Sequence, residues 1–429
     1  LAMSAMTVID GMIVGHGVGA IGVAAVNIVV PIYLIMSGIG IMVGAGCSVV
    51  ASIHLSQNKL KVARLNVTQA LLVSALVVTF IAALVLIFPE DTARLLGASP
   101  TLMPHVLDYM MWLMPGFIFE MFSLIGLFII RLDGAPRFAM WCNIIPAVLN
   151  AILDWVLVFP VGMGVKGAGV ATSFCMILGG VMALGYLIFK ANNLKLQLPK
   201  LSLKSFRLTL RNIGYQCRIG LSSLMGELSL AVLIYIGNLI FMRYLGDDGV
   251  GAFGISCYYT PFFFSVGNSI AQSAQPIISY NYGARNIDRM LGVLKLTIVW
   301  ATGIMTAGFA ICEFTPGLIA RIFTSDEELI ARSVRGMRIV AVFFPIIGMQ
   351  MVTGNFFQSI GMARQAIFLS LTRQLIFLLP CLIVLPQFFG ADGVWASLPT
   401  ADLLSWIVSV SVLMYYLRRF KQGKIEYKL

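Results

Sequence analysis

The stretch VLNAILDWVLVF places Asn150 and Asp154 four residues apart, so on a helix both side chains share one face. An ionised carboxylate in hydrocarbon costs at least ~2.5 kcal/mol, so its presence there asks for a reason. Asp10, in VIDGMIVG, is a second acid of this kind, followed by a glycine that permits a local bend. Thr172 closes the glycine-rich stretch KGAGVAT and adds a hydroxyl oxygen. Two carboxylates, an amide carbonyl and a hydroxyl are the ligands a hard cation prefers. Asp10, Asn150, Asp154 and Thr172 therefore form a candidate site for Na+. The same acids can instead hold a proton, and the residues alone leave H+ and Na+ open.

Other polar residues read less sharply. Glu227, in SSLMGELSL, has small polar company and is a possible further acid in the second half. Glu120 and Asp402 have poorer company, and a hydrogen-bonded packing role is the plainer reading; Glu313 falls near a span end, where water reaches it. His16, His54 and His105 all fall at span ends and need no special role. No Ser–His pairing lies within a span, which argues against a membrane protease. The 7 cysteines are dispersed without a C-x-x-C pair, so neither a disulfide framework nor a zinc site is supported. With no nucleophile or metal constellation the chain reads as a non-enzyme needing no cofactor.

The elements that must position these residues follow from composition. Of 429 residues, 59% are hydrophobic and 11% charged, against about 25% charged in a soluble domain. Apolar runs long enough to cross ~30 Å of hydrocarbon recur throughout, and backbone hydrogen-bonding demands make them helices. Twelve spans are predicted, near 2–16, 26–54, 67–88, 105–130, 138–160 and 168–189, then 214–241, 250–280, 290–313, 335–360, 366–388 and 394–417. The first is short, and a further N-terminal piece is expected. Most of the 29 cations fall on one side of this arrangement, seven of them between Lys190 and Arg218 with no acid among them. The positive-inside rule makes that side, and both termini, cytoplasmic. The net charge of +11 is thus a topology signal and no sign of a nucleic-acid partner. Contact between the basic linker and membrane lipid needs no separate explanation.

The stretch GVGAIG at 17–22 has the G-x-G-x-x-G spacing of a dinucleotide loop, but that loop needs a strand before it and an acid about 20 residues on. Apolar spans flank it instead, and GVGAFG repeats it at 249–254. Both copies are predicted to be tight extracytoplasmic turns. Pro31 against Pro261, Gly38 against Gly267, GLFIIRLDGAPR (126–137) against GNFFQSIGMARQ (354–365) and GVATS (169–173) against GVWAS (393–397) continue the pattern. The chain thus reads as two related six-helix units in the same orientation. They occupy 1–189 and 214–417, with a basic cytoplasmic linker at 190–213 and a basic tail at 418–429. Such repeats mark transporters, with the substrate path between the halves. Abundant Phe (28) and Met (23) suit a promiscuous apolar cavity, although lipid-facing and packed positions use the same residues.

Across nearly its whole length the chain resembles the multidrug and toxic compound extrusion (MATE) family. The resemblance rests on the six-plus-six repeat, DGMIVGHGVGAIGVAAVNIVVPI, RLDGAPRF, NAILDWVLVFPVGMGVKGAGVAT and SIGMARQAIFLSLTRQLIFLLP. It looks most like the DinF branch. The resemblance implies an all-α fold of twelve transmembrane helices in two pseudo-symmetric bundles forming a V-shaped cavity. It also implies a monomeric plasma-membrane antiporter that expels drugs or toxic metabolites as H+ or Na+ flows inward and the lobes rock. The family's first-span acid falls on Asp10, its fifth-span Asn and Asp on Asn150 and Asp154, and its sixth-span Thr on Thr172. Glu227 lies near a seventh-span acid of another branch, whose tenth-span carboxylate has no counterpart here. The competing reading is a lipid-linked oligosaccharide flippase, which needs cations facing a pyrophosphate; only Arg373 penetrates a span appreciably.

Overall fold

A computed structural model describes residues 13–14, 16–197, 202–323 and 327–422; within these, the side chains of 241–262 and of scattered other positions lie outside the description. Every element among the described residues is helical. In chain order they are α1 Ala20–Ser56, α2 Leu60–Ile87, α3 Pro89–Leu95, α4 Met103–Leu132, α5 Pro136–Val158 and α6 Gly164–Gly185, which ends in a π-helical turn, Tyr186–Lys190. They continue as α7 Leu203–Gly283, α8 Ile287–Phe314, α9 Pro316–Phe323, α10 Glu327–Ala341, α11 Phe344–Ser359, α12 Ala363–Leu371 and α13 Leu379–Lys421, with a π-helical stretch Thr372–Leu378 before the last.

Eight helices among the described residues are long and apolar enough to cross a membrane, and a bent pair makes a ninth. That pair is the predicted tenth span, broken by 53° between α10 and α11 ahead of Phe344–Pro345. Helix α13 carries both the predicted last span and the end of the eleventh, joined across non-helical Gly390 at φ 57°. The first predicted span lies almost wholly outside the described residues. The seventh and eighth fall within α7, whose 81 residues would reach about 120 Å if straight. The chain must therefore change direction within it. Helical hydrogen bonding runs through Gly249–Gly254, where a tight turn is expected.

The first copy is a turn. Gly19 sits at φ 81° and ψ −166°, a conformation only glycine adopts at little cost, between the helical residues 16–18 and α1. Two short helices escaped the hydropathy reading: α3 and α9 both begin with a proline directly after a long span, at matching places in the two halves. Proline lacks the N–H that a first helical turn leaves unused, so it suits such a restart.

The chain divides into two compact units, Leu1–Leu224 and Met225–Leu429. In the first, α4 is the hub, packing against α6, α1, α2 and α5. Its Met110, Leu113, Phe117 and Met121 are buried against Val29 and Met36 of α1 and Val78 and Ala82 of α2. The α4–α6 crossing is so close that a Cβ on Gly180 would run into the Phe119 carbonyl oxygen. In the second unit Met305, Phe344, Ile347 and Trp395 anchor a separate core. Outward positions are apolar as well: Leu76, Phe80, Phe189 and Phe314 are all exposed. That inverts the surface of a soluble protein and fits a lipid solvent.

Residues after α6 are not a loose tether. Thr209 and Asn212 hydrogen-bond with Gln69, Gln216 Nε2 donates to Asn66 Oδ1 at 2.9 Å, and Arg64 donates to the Asn193 carbonyl at 2.7 Å. The start of α7 is thereby tied to the N-terminal half of α2.

Candidate functional site

Helix α5 has two faces. Trp141, Ile145, Val148, Ile152 and Trp155 point outward, while Cys142, Pro146, Asn150, Asp154 and Val158 are buried. Spacings of three and four residues keep each set on its own stripe. Asn150 and Asp154 have no exposed surface, and Thr172 on the facing stripe of α6 is 4% exposed. Asn150 Nδ2 donates to Thr172 Oγ1 at 3.4 Å, which brings three predicted site residues together across α5 and α6. Asn150 Oδ1, buried, has no hydrogen-bond partner among the described residues. A buried oxygen without a donor costs about 1–3 kcal/mol, and a bound cation would relieve it. The donor set therefore fits a small cation on the strength of its own geometry. Thr172 sits further into its helix than expected, because α6 begins at Gly164 and the glycine cluster is helical.

Asp10 lies outside the described residues. The chain just after it can be followed: Val14 and Val18 join the core that contains Val158, and a Cβ on Gly17 would clash with Val158 Cγ1. Val158 is one turn beyond Asp154, so the end of the first span runs against the Asp154 end of α5. Glu227 belongs to the second unit, is half-buried, and makes no hydrogen bond or ion pair to a described residue.

A MatE family model matches residues 1–156 and again 224–383, one match to each half. The chain belongs to the MatE family. Among curated proteins, this MatE chain is 23% identical over 404 residues to a FAD transporter of Shewanella oneidensis, covering 93% of this chain and 87% of that one. It is 24% identical over 422 residues to the multidrug export protein MepA of Staphylococcus saprophyticus, covering 97% and 91%. Among solved structures, the MATE multidrug transporter DinF-BH, in complex with a small-molecule ligand, is 33% identical, with TM-score 0.87 over 97% of this chain and 92% of that one. An outward-facing MATE family transporter, 22% identical, matches with TM-score 0.91 over 98% and 93%. The fold is thus the 12-helix MATE fold, and the chain is a membrane transporter and not an enzyme.

Three further buried acids in this MatE transporter are Glu120 and Asp402, for which a packing role is the plainer sequence reading, and Asp133. Glu120 of α4, 5% exposed, borders a small pocket inside the first unit. Asp402 of α13 accepts from Arg373 Nε at 2.6 Å, and the guanidinium lies 4.0 Å from the Phe264 ring centroid. Asp133 ends α4, where the helix dipole disfavours an anion. Its oxygens accept instead from Tyr186 Oη at 2.9 Å and from the backbone N–H groups of Asn192, Asn193 and Leu194 at 2.7 to 2.9 Å. An acid at a helix C-terminus is itself a signal, since it demands donors from elsewhere; RLDGAPR carried that signal.

Proposed function

We propose that this MatE transporter is a cation-coupled efflux antiporter. It exports amphiphilic, often cationic, organic compounds across the plasma membrane by alternating access, its two lobes rocking as H+ or Na+ moves inward. The observation that carries the reading is Asp154, fully buried beside Asn150 and Thr172 on the inward stripe of a membrane-spanning helix. Acids within membrane spans are costly and commonly mark an ion or substrate path. The coupling ion enters as a second substrate, held by Asp154, Asn150, Thr172 and, from the first span, Asp10. For coupling, the ion must favour one lobe conformation by a few kcal/mol; equal affinity for both would shift nothing. Multidrug export by the MepA relative and the ligand-bound structure of the DinF-BH multidrug transporter support the cargo class.

Anionic cargo is the second reading, favoured by the FAD transporter relative and shared with a lipid-linked oligosaccharide flippase. Either needs available cations within a lobe. Arg373, the span cation that suited that role, is paired with Asp402, which counts against it.

Asp154→Asn and Asp10→Asn keep shape and remove charge. Each is expected to abolish gradient-driven efflux of a lipophilic cation from proteoliposomes while the protein stays folded and inserted. Wild-type efflux by both variants refutes the assignment.

A further inference from the structure

Below the Asp154 cluster, the first unit contains a pocket of about 30 Å³, room for a water or two. Glu120 of α4 opens onto it with Ser123, together with Tyr33 of α1, Cys142 and Asn143 of α5, and Cys175 of α6. Neither Glu120 nor Ser123 makes a hydrogen bond or ion pair to any described residue. Asn143 Nδ2 donates to the Ala139 carbonyl at 3.0 Å, so its Oδ1 is left as an acceptor. Pro146 has no N–H to give to the carbonyl four residues earlier, which frees the Cys142 oxygen. Among the described residues no Lys, Arg or His lines the pocket; its titratable neighbours there are Tyr33, Cys142 and Cys175.

Residues bearing a carboxyl, a hydroxyl and an amide oxygen, with a backbone carbonyl that Pro146 deprives of its usual donor, thus line a space too small for an organic molecule. A buried carboxylate without a positive partner is not sustained in such surroundings. We infer that the Glu120 pocket is a second binding site for a small monovalent cation, H+ or Na+, inside the first lobe. It adjoins the first site: Ala147 and Cys175 on its edge lie one helical turn from Asn150 and Thr172, and Cys175 is within electrostatic reach of Asp154. Asn143, Asn150 and Asp154 along α5, with Thr172 and Cys175 along α6, are the polar residues that link the two sites. This rests on the cation-coupled reading above.

The test uses the full chain in proteoliposomes, pH and sodium gradients imposed one at a time, and ethidium as cargo. Glu120→Gln is expected to lower gradient-driven efflux about tenfold or more and to flatten its dependence on the coupling cation. Ethidium binding to the purified protein should stay unchanged. Ser123→Ala is expected to raise the half-saturating cation concentration about threefold to tenfold if Na+ is the ion, and to leave the pH profile in place if it is H+. Wild-type efflux and cation dependence in Glu120→Gln, beside an inactive Asp154→Asn, overturn the second site and leave the first. Wild-type efflux in both overturns both. Should Glu120→Gln fail to fold, Glu120→Asp decides: unaltered dependence on both cations overturns the site, and a shifted one supports it.

Discussion

Replacing Asp402 with alanine strips the partner from a guanidinium whose Nε sits 2.6 Å from the lost carboxylate. Breaking one side of a buried pair costs about 3–5 kcal/mol. The Arg373 side chain is 21% exposed, so some water reaches it and the lower end applies. It cannot turn fully to water without leaving Phe264, a contact worth about 1–2 kcal/mol when desolvated. Asp402→Ala should therefore cost about 3 kcal/mol. Arg373→Met should cost about 2 kcal/mol, less because a lone carboxyl can neutralise itself with a proton. The double variant Arg373→Met with Asp402→Leu refills the volume without charge and should fall within about 1 kcal/mol of wild type. At about 2–4 °C per kcal/mol, the Asp402→Ala protein melts roughly 6–12 °C early and the double variant close to wild type. A thiol-reactive fluorescent dye reads this directly, because Cys312 of the same unit is buried until it opens. A double variant as damaged as Asp402→Ala refutes the pairing argument. A double variant that melts normally but loses efflux leaves the pairing argument in place and adds a functional role for Arg373.

The other expectations test how the first unit is held. Asp133→Ala removes four hydrogen bonds, three of them to backbone N–H groups; two of those donors are exposed and rehydrate, so the loss should be about 2–3 kcal/mol. Faster tryptic cleavage at Lys195 checks it, and an unchanged cleavage rate counts against the clamp. Gly180→Leu drives a side chain into the Phe119 carbonyl and should force α4 and α6 apart. Loss of folded protein on size-exclusion chromatography is the expected result, and a normal monodisperse peak contradicts the packing. The Asp154, Asp10 and Glu120 substitutions described above complete the set through cation-dependent efflux.

Composition and hydropathy decided the class, because the bilayer imposes one rule everywhere: backbone groups must be satisfied internally, so long apolar runs become helices. The internal repeat was legible for the same reason, as was the shared face of Asn150 and Asp154, which follows from helical spacing alone. Breaks within spans were not legible. The bend between α10 and α11 and the helical continuation through Gly249–Gly254 depend on local backbone geometry to which hydropathy averaging is blind. The sequence ranked Asp154 above Glu120 and Asp402 by its polar company, but could not say what each acid faces. Asp154, Glu120, Asp402 and Asp133 all read as charges in or beside apolar runs. Only the fold gave Asp402 an arginine from 29 residues away, gave Asp133 the N–H groups of residues 192–194, and left Glu120 facing a pocket. A helix fixes which side chains share its own face; what stands opposite that face is set by packing between elements distant along the chain, and that is where a charge acquires its role.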